Sequence, residues 1–579
     1  MNHKFYVYRR IFWWFIAVLS GCISVDAQSV FIDEDFSDWT DVDFIHIDKS
    51  GDMGQSGIDF QTFRAAHDKD FLYLYLETGK ILNLDAGNNI TLYIDIDNNN
   101  TTGLLRNGIG AELRYNFGSR SGNFYLPTKT FNLNHFDIGL FFSPTVTAER
   151  FELVLKRKFT LSDVPISIDG DIRIVWEDMI PGGDALPDQQ SGLLYSLVSN
   201  QSFVEKSFEI KKTNQEYIRV LSYNVERDAI FKPNNQAHFR RIIQALDPDI
   251  IGFQEIYDNN TASTRALIES FLPNNTWYAA GVFPDIKLIS KYPIQRSSSL
   301  DGNGVFLLDL GAFKALVIVA HLPCCENDSG RQKEIDRIMG FVRDSKNGLT
   351  DYKITDKDAI IIMGDMNFVG DRRQVKTLLS GEIVNTNIYG TSFTPDWDGS
   401  DLKDTKAHTT GLPTVFTWYS QNSSFSPGRL DYIVYTGSNL QLENAFGLFT
   451  STISPQLLEA NGLQSRDVLS ASDHIPVVAD FRYKINTSAN KHIPTTTSGH
   501  TLKIFPNPAF DIINVNLPDI NIDSVKIEII NTLGNKLKDF YVSDKVKHIE
   551  IDITDLPEGV YILTLNYSNM RITSKFSKF

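Results

Sequence analysis

A chain of 579 residues with a formal net charge of −16 is too long for a single core, and as a whole it is not built to bind polyanions. Its hydrophobic content of 42% and charged content of 22% are ordinary for globular protein, so three or four domains are expected. Of three cysteines, Cys324 and Cys325 are neighbours, which excludes a disulfide scaffold and a zinc-type cysteine spacing.

Residues 1–27 read as an export signal. Lys4, Arg9 and Arg10 precede the apolar run Ile11–Leu19, and Val25-Asp26-Ala27 offers a small-residue cleavage site. Leu19-Ser20-Gly21-Cys22 also resembles a lipoprotein box with Cys22 as the lipidated residue; cleavage at Ala27 is the preferred reading. No other stretch is apolar and long enough to span a bilayer.

Residues 28–205 read as a β-sandwich. DFLYLYLE (Asp70–Glu77) and NITLYIDID (Asn89–Asp97) alternate with period two and are rich in aromatic and β-branched residues, with NNNTTG as turn chemistry after them. Further strands are expected at Ala111–Phe117, Arg150–Leu155 and Asp171–Glu177. FIDEDFSDW, with Trp39, and YIDIDNNNTTG resemble the sandwiches related to family 9 carbohydrate-binding modules, which implies a glycan partner. Aromatics for sugar stacking are not separable here from core aromatics, and core is favoured. Asp95, Asp97 and Asn99 on one turn offer oxygen ligands for a structural Ca2+, against the plainer reading of a solvated turn.

From 215 to 484 the pattern becomes α/β. Buried strands are expected at Ile218–Val225, Asp249–Gln254, Lys287–Ser290, Val305–Leu310, Ala315–Ala320, Ala359–Met363, Leu430–Tyr435 and Pro476–Phe481. Helices are expected at Gln236–Leu246, near Thr264–Leu272 and at Arg331–Arg343. Strands mostly alternating with helices, plus hairpins, predict a four-layer α/β sandwich of two sheets. Residues 485–500 are a polar Thr/Ser linker. Residues 501–579 form a smaller, immunoglobulin-like β-sandwich. Phe505-Pro506-Asn507-Pro508, the Gly559-Val560-Tyr561 segment and the lysine-bearing C-terminus resemble, in order, the type IX secretion sorting domain of Bacteroidetes. That resemblance implies the type IX machinery as a partner and a secreted or cell-surface destination.

The chemistry gathers in the α/β segment. Asn224, Glu255, His321 and Asp365 end apolar strands, Asp431 opens one, and Asp473-His474 precede the last. Each residue alone has an ordinary explanation as a turn former, a solvated end or a helix starter. Polar groups repeatedly left at the ends of buried strands are costly unless they share a site, and that is where open α/β sheets place ligands. Strand alternation is expected to send Asp365 and Asn367 to one side and Met366 into the core.

The order N…QE…HLP…GDMN…RLDY…SDH resembles the endonuclease/exonuclease/phosphatase superfamily, which implies metal-dependent phosphoester hydrolysis. By that resemblance Glu255 and Asn224 hold Mg2+ or Mn2+, and Asp473 is a second metal ligand or an aid to His474. Asp365 orients or deprotonates water, and Asn367 and Asn224 bind phosphate. His474 contacts the scissile phosphate with its tautomer fixed by Asp431, and His321 is the general acid of the deoxyribonuclease and sphingomyelinase branches. Asp285 is a candidate partner for His321. Arg331 is carried as a phosphate contact, with a helix start as its alternative. Gly390–Val415, with Trp397 and His408, is either a recognition loop or a surface insertion, the latter favoured.

Residues 215–484 hold 26 Lys and Arg against 32 Asp and Glu, with no basic run. Nucleic acid therefore leads a lipid head group or small phosphodiester by little, and a catalytically silent glycan-binding protein is the reading from another class.

Overall fold

The structure is a computed structural model describing residues 30–53, 57–198, 202–484, 503–516, 524–531, 536–543, 548–567 and 570–579. The expected export signal with Cys22 and the 485–500 linker lie outside the described residues. The chain divides into two compact units, Met1–Lys484 and Ile485–Phe579.

The first unit begins with a β-sandwich. One sheet runs Phe44–Ile47, Thr62–His67, Phe71–Leu82, Ala148–Lys156, Phe141–Ser143; the other is built around Gly170–Asp178, Ile90–Asp95 and Leu113–Asn116. The period-two run at Phe71 explains how this sandwich sits in the unit. Leu72, Leu74 and Leu76 enter the sandwich core, while Phe71, Tyr73 and Tyr75 on the opposite face enter a second core shared with the α/β part. A strand face that in a free sandwich would meet water is here buried.

The α/β part has two sheets. In the first, β1 (Ile218–Asn224) lies between β2 (Ile250–Gln254) and β6 (Val477–Tyr483); in the second, β4 (Ala359–Asp365) lies between β3 (Lys314–His321) and β5 (Asp431–Tyr435). Val220, Ile250, Val317, Val319, Ile361, Met363, Ile433 and Ala479 fill the space between the sheets. Helix α1 (Pro233–Leu246) covers the first sheet through Phe239, Ile242, Ile243 and Leu246. Helix α2 (Asp328–Lys346) covers the second through Ile335, Ile338, Met339 and Val342. This is the expected four-layer order. Strands at Tyr278–Val282, Ile294–Leu300 and Leu440–Gly447 were not legible as strands, since each has exposed edge or weakly apolar positions.

Where separate domains were expected, sandwich and α/β part meet in one unit. Ile32 N donates to Pro413 O at 2.8 Å, and Phe141 stacks on Phe416 with centroids 5.0 Å apart. Three further bonds grip the chain just after Asn367: Thr145 Oγ1 to Phe368 O at 3.0 Å, Asn83 Nδ2 to Val369 O at 2.8 Å and Thr147 N to Gly370 O at 2.8 Å. The Gly390–Val415 segment is neither a solvated insertion nor a free loop. Trp397 Nε1 donates to Asp358 O at 2.8 Å, and His408 Nε2 lies 3.3 Å from Asp33 Oδ2 of the sandwich.

The second unit has a sheet of Lys503–Phe505, Ile512–Asn516 and His548–Asp552, and a sheet of Lys536–Ser543, Ser524–Asn531, Gly559–Tyr567 and Met570–Lys578. Ile513, Val515, Ile527, Ile529, Leu563, Leu565 and Phe576 form its core.

Candidate active site

Sheet register brings three of the expected residues together directly. In the second sheet His321 pairs with Asp365 across β3–β4, and Asp365 pairs with Asp431 across β4–β5. The first sheet supplies Asn224 at the end of β1, Glu255 just past β2 and His474 just before β6. Ser472 ties two of these: its Oγ donates to Asn224 O at 2.9 Å and accepts from His474 N at 3.1 Å.

Asp365 is the hub. Its Oδ2 lies 3.7 Å from His321 Nε2 and 3.7 Å from His474 Nε2, and it accepts from Asn224 Nδ2 at 3.2 Å. Each imidazole is held from behind: His321 Nδ1 bonds Asp285 Oδ2 at 2.6 Å, and His474 Nδ1 bonds Asp431 Oδ2 at 2.8 Å. Both Nε2 atoms therefore face the same carboxylate. Glu255 completes the ring, accepting from Asn224 Nδ2 at 3.1 Å and from Arg227 N at 2.9 Å, with His321 Nε2 at 4.0 Å.

Local backbone shapes this cluster. Gly364 has φ 135°, and a Cβ there would sit 1.9 Å from Ala320 O, so only glycine lets β4 approach β3 at this point. Glu255 (φ 64°), Asn367 (φ 49°) and the run Glu226–Asp228 all lie in the left-handed region. Such conformations are costly for non-glycine residues and gather at functional sites. The turn, and not strand alternation, sets Asn367: its N donates to Asp365 Oδ1 at 3.0 Å, and its Nδ2 to Leu322 O at 2.9 Å. Met366 is buried as expected.

Electrostatics follow from the same contacts. Burial opposes charge on His474, but Asp431, Asp365 and Asp473 overcome it and carry the imidazole up to about 10. Burial likewise opposes charge on His321, and the bond to Asp285 with the fields of Asp365 and Glu255 raises it to about 9. Burial pushes the Asp365 carboxyl up to about 6 against the pull of His474 and His321.

Residues 221–474 match the model of the Endonuclease/Exonuclease/phosphatase family, and residues 503–578 that of the secretion system C-terminal sorting domain. The chain carries an endonuclease/exonuclease/phosphatase domain. It is similar to solved structures of Caenorhabditis elegans TDP2 (16% identity, covering 46% of this chain and 97% of that one, TM-score 0.30), the human Nocturnin catalytic domain (16%, 46% and 94%, 0.30) and an endonuclease/exonuclease/phosphatase from Beutenbergia cavernae (14%, 62% and 100%, 0.29). No curated protein matches the chain. The domain belongs to a divalent-metal-dependent family of phosphoester hydrolases, and the sorting domain indicates secretion or cell-surface export by the type IX route. Among the described residues no helix is long and apolar enough to cross a membrane.

The donor set of the phosphatase-family site suits a hard divalent cation. Glu255 and Asp365 converge within reach of the Asn224 amide, Asp365, Asp431 and His474 offer ligand atoms within 4.8 Å of one another, and Asp431 Oδ1 is buried with no hydrogen-bond partner. Asp473, expected as a second ligand or as an aid to His474, is not in that group; its Oδ2 accepts from Trp418 Nε1 at 3.0 Å, and its charge acts on His474.

Arg331 is a correction. It is fully buried, and four of its five N–H donors go to Gln374 Oε1, Pro323 O, Cys325 O and Asp328 Oδ1, so it braces the loop after His321 instead of facing a phosphate. Helix α2 starts three residues earlier than expected because Asn327 caps it.

The reading of the sequence also missed supporting residues. Thr417 Oγ1 accepts from Leu430 N and Asp431 N, and Asn303 Oδ1 accepts from His321 N, contacts for which no local pattern exists. Tyr257, 45% exposed beside Glu255, is an aromatic whose hydroxyl is held well above its usual range by burial, Asp285 and Glu255.

In the sandwich, Asp95 and Asp97 group with Glu112, while Asn99 Oδ1 is turned to Thr101. Asn99 is thus replaced by a residue too distant in sequence to be read from the turn. No aromatic among the described sandwich residues is exposed, which leaves the expected glycan partner without a stacking platform.

Proposed function

We propose that the chain is an exported, Mg2+- or Mn2+-dependent phosphodiesterase with nuclease-like action. The observation that carries this reading is the pair of carboxylate-backed histidines whose Nε2 atoms each stand 3.7 Å from Asp365 Oδ2. A divalent ion held by Glu255, with Asn224 beside it, would supply Lewis-acid neutralisation of the phosphate oxygens. Asp365, between both imidazoles, orients the attacking water and takes its proton. His474, charged and backed by Asp431, donates Nε2–H to a phosphate oxygen. His321, backed by Asp285, gives its Nε2 proton to the leaving oxygen. Asn367 lends its amide to the phosphate. Tyr257 at the mouth favours a substrate with a flat ring, such as a nucleotide. A second cation, Ca2+, is assigned to Asp95, Asp97 and Glu112 of the sandwich.

The test is hydrolysis of DNA, RNA, bis-p-nitrophenyl phosphate and sphingomyelin with and without EDTA. Expected is EDTA-sensitive cleavage of a nucleic acid. Preference for sphingomyelin or an inositol phosphate would replace the nuclease reading, and glycan binding with no turnover of any phosphoester would replace the enzyme.

A further inference from the structure

One acidic cluster lies in the sandwich, apart from both the phosphoester site and the Asp95 turn. Asp48 follows the strand Phe44–Ile47, Asp52 returns beside it, and Asp184 comes from the loop after Gly170–Asp178. One carboxylate oxygen from each lies within 4.8 Å of the other two.

Two observations separate this group from an ordinary acidic surface. The Asp48 side chain is 2% exposed, and its Oδ2 has no hydrogen-bond partner. Asp52 Oδ1 is also buried and unpartnered. Asp184, by contrast, is fixed by backbone, with Phe60 N donating to Oδ2 at 2.7 Å and Ala185 N to Oδ1 at 2.8 Å. Asp188 bonds to Asp52 and adds a fourth carboxyl.

Among the described residues no lysine or arginine forms an ion pair with Asp48, Asp52 or Asp184, and the nearby Lys49 charge acts on Asp188. His46 Nε2 stands 3.6 Å from Asp48 Oδ1 and leaves Oδ2 without a partner. Buried carboxylate oxygens left without donors are costly, and a cation is the partner that would satisfy several at once.

We propose that Asp48, Asp52 and Asp184 hold a Ca2+ ion, with Asp188 as an outer partner. The all-oxygen donor set from irregular loops suits Ca2+ over Zn2+, which prefers nitrogen and sulfur, and over Mg2+, which demands near-octahedral order. The ion ties the loop after an edge strand of one sheet to a loop of the facing sheet, so it staples the sandwich.

The test is calorimetric and thermal titration of the full chain, stripped with EDTA and dialysed, with CaCl2, MgCl2 or ZnCl2. Ca2+ should raise the melting temperature. Asp48→Asn and the less buried Asp52→Asn should weaken one Ca2+ binding step at least about tenfold, while Asp97→Asn, in the Ca2+ group of Asp95 and Glu112, should weaken a separate step and leave this one. Asp48→Asn should also raise the melting temperature of the metal-free chain, because repulsion is removed. Unchanged Ca2+ stoichiometry and affinity in both Asp48→Asn and Asp52→Asn would overturn the site. So would a lower metal-free melting temperature for both, which would mark Asp48 and Asp52 as structural acceptors. Tighter Mg2+ or Zn2+ binding at these residues would overturn the choice of cation.

Discussion

Asp285 Oδ2 stands 2.6 Å from His321 Nδ1, and the same oxygen accepts the Glu255 backbone N–H at 3.0 Å. One carboxylate thus sets the tautomer of the proposed acid and the seat of the proposed metal ligand. Asp285→Asn should lower kcat about 100-fold with little change in KM, as steady-state kinetics would show. In a His321→Ala background the same change should cost less, only the part that Asp285 exerts through the Glu255 seat. Full additivity would count against the coupling.

His474→Ala should cost about 1,000-fold or more in kcat, and Asp431→Asn about 100-fold, since Asp431 acts through His474. Circular dichroism should be unchanged in the first. Dialysis against EDTA should remove activity in the wild type, with recovery on Mg2+ or Mn2+. Glu255→Ala should shift the Mg2+ concentration needed for half-maximal rate upward at least tenfold.

Gly364→Ala should destabilise the unit by about 2–4 kcal/mol in urea unfolding, because the new Cβ meets Ala320 O in the strand pair that carries His321 and Asp365. Activity of the surviving folded fraction should also fall, since the change widens β3 from β4 at the catalytic pair.

Asp33 bonds Lys206 Nζ at 3.1 Å and lies 3.3 Å from His408 Nε2, which joins the sandwich to the α/β part. Burial opposes its charge, but His408 and Lys206 lower the carboxyl from 3.8 to about 2. A depressed folded value stabilises above the unfolded one, so this contribution is full above pH 3.8 and fades as pH falls through about 2. Allowing for the half-exposed Lys206, it amounts to about 1–2 kcal/mol. Asp33→Asn should be less stable than wild type by that amount at pH 6 and converge with it near pH 2, measured by denaturant titration.

Much of the site was legible because each residue sits at a strand end, where an apolar run stops on a polar group. Asp365, His321, Asp431, Asn224, Glu255 and His474 all carry that mark; sheet register aligns His321, Asp365 and Asp431, and the packing of the two sheets brings the other three to them. Arg331 carried no such mark: an arginine after a loop reads the same whether it meets phosphate or carbonyls, and only the fold shows Pro323 O and Cys325 O in front of it. The sandwich was legible as strands but not as part of the unit. DFLYLYLE shows two apolar faces, yet nothing local says that Tyr73 and Tyr75 meet another segment instead of forming an aromatic binding surface. Glu112 was likewise out of sight from the turn of Asp95 because the contact is tertiary.

The bond from Ile32 to Pro413 has a consequence for the order in which the chain can fold. Ile32 N finds its acceptor only at Pro413, so a chain emerging N-terminus first leaves this edge unpaired as it emerges. Until the α/β part arrives, Phe71, Tyr73, Tyr75 and Phe141 present an aromatic stripe with nothing to cover it. Covering that stripe has to wait for the last third of the large unit.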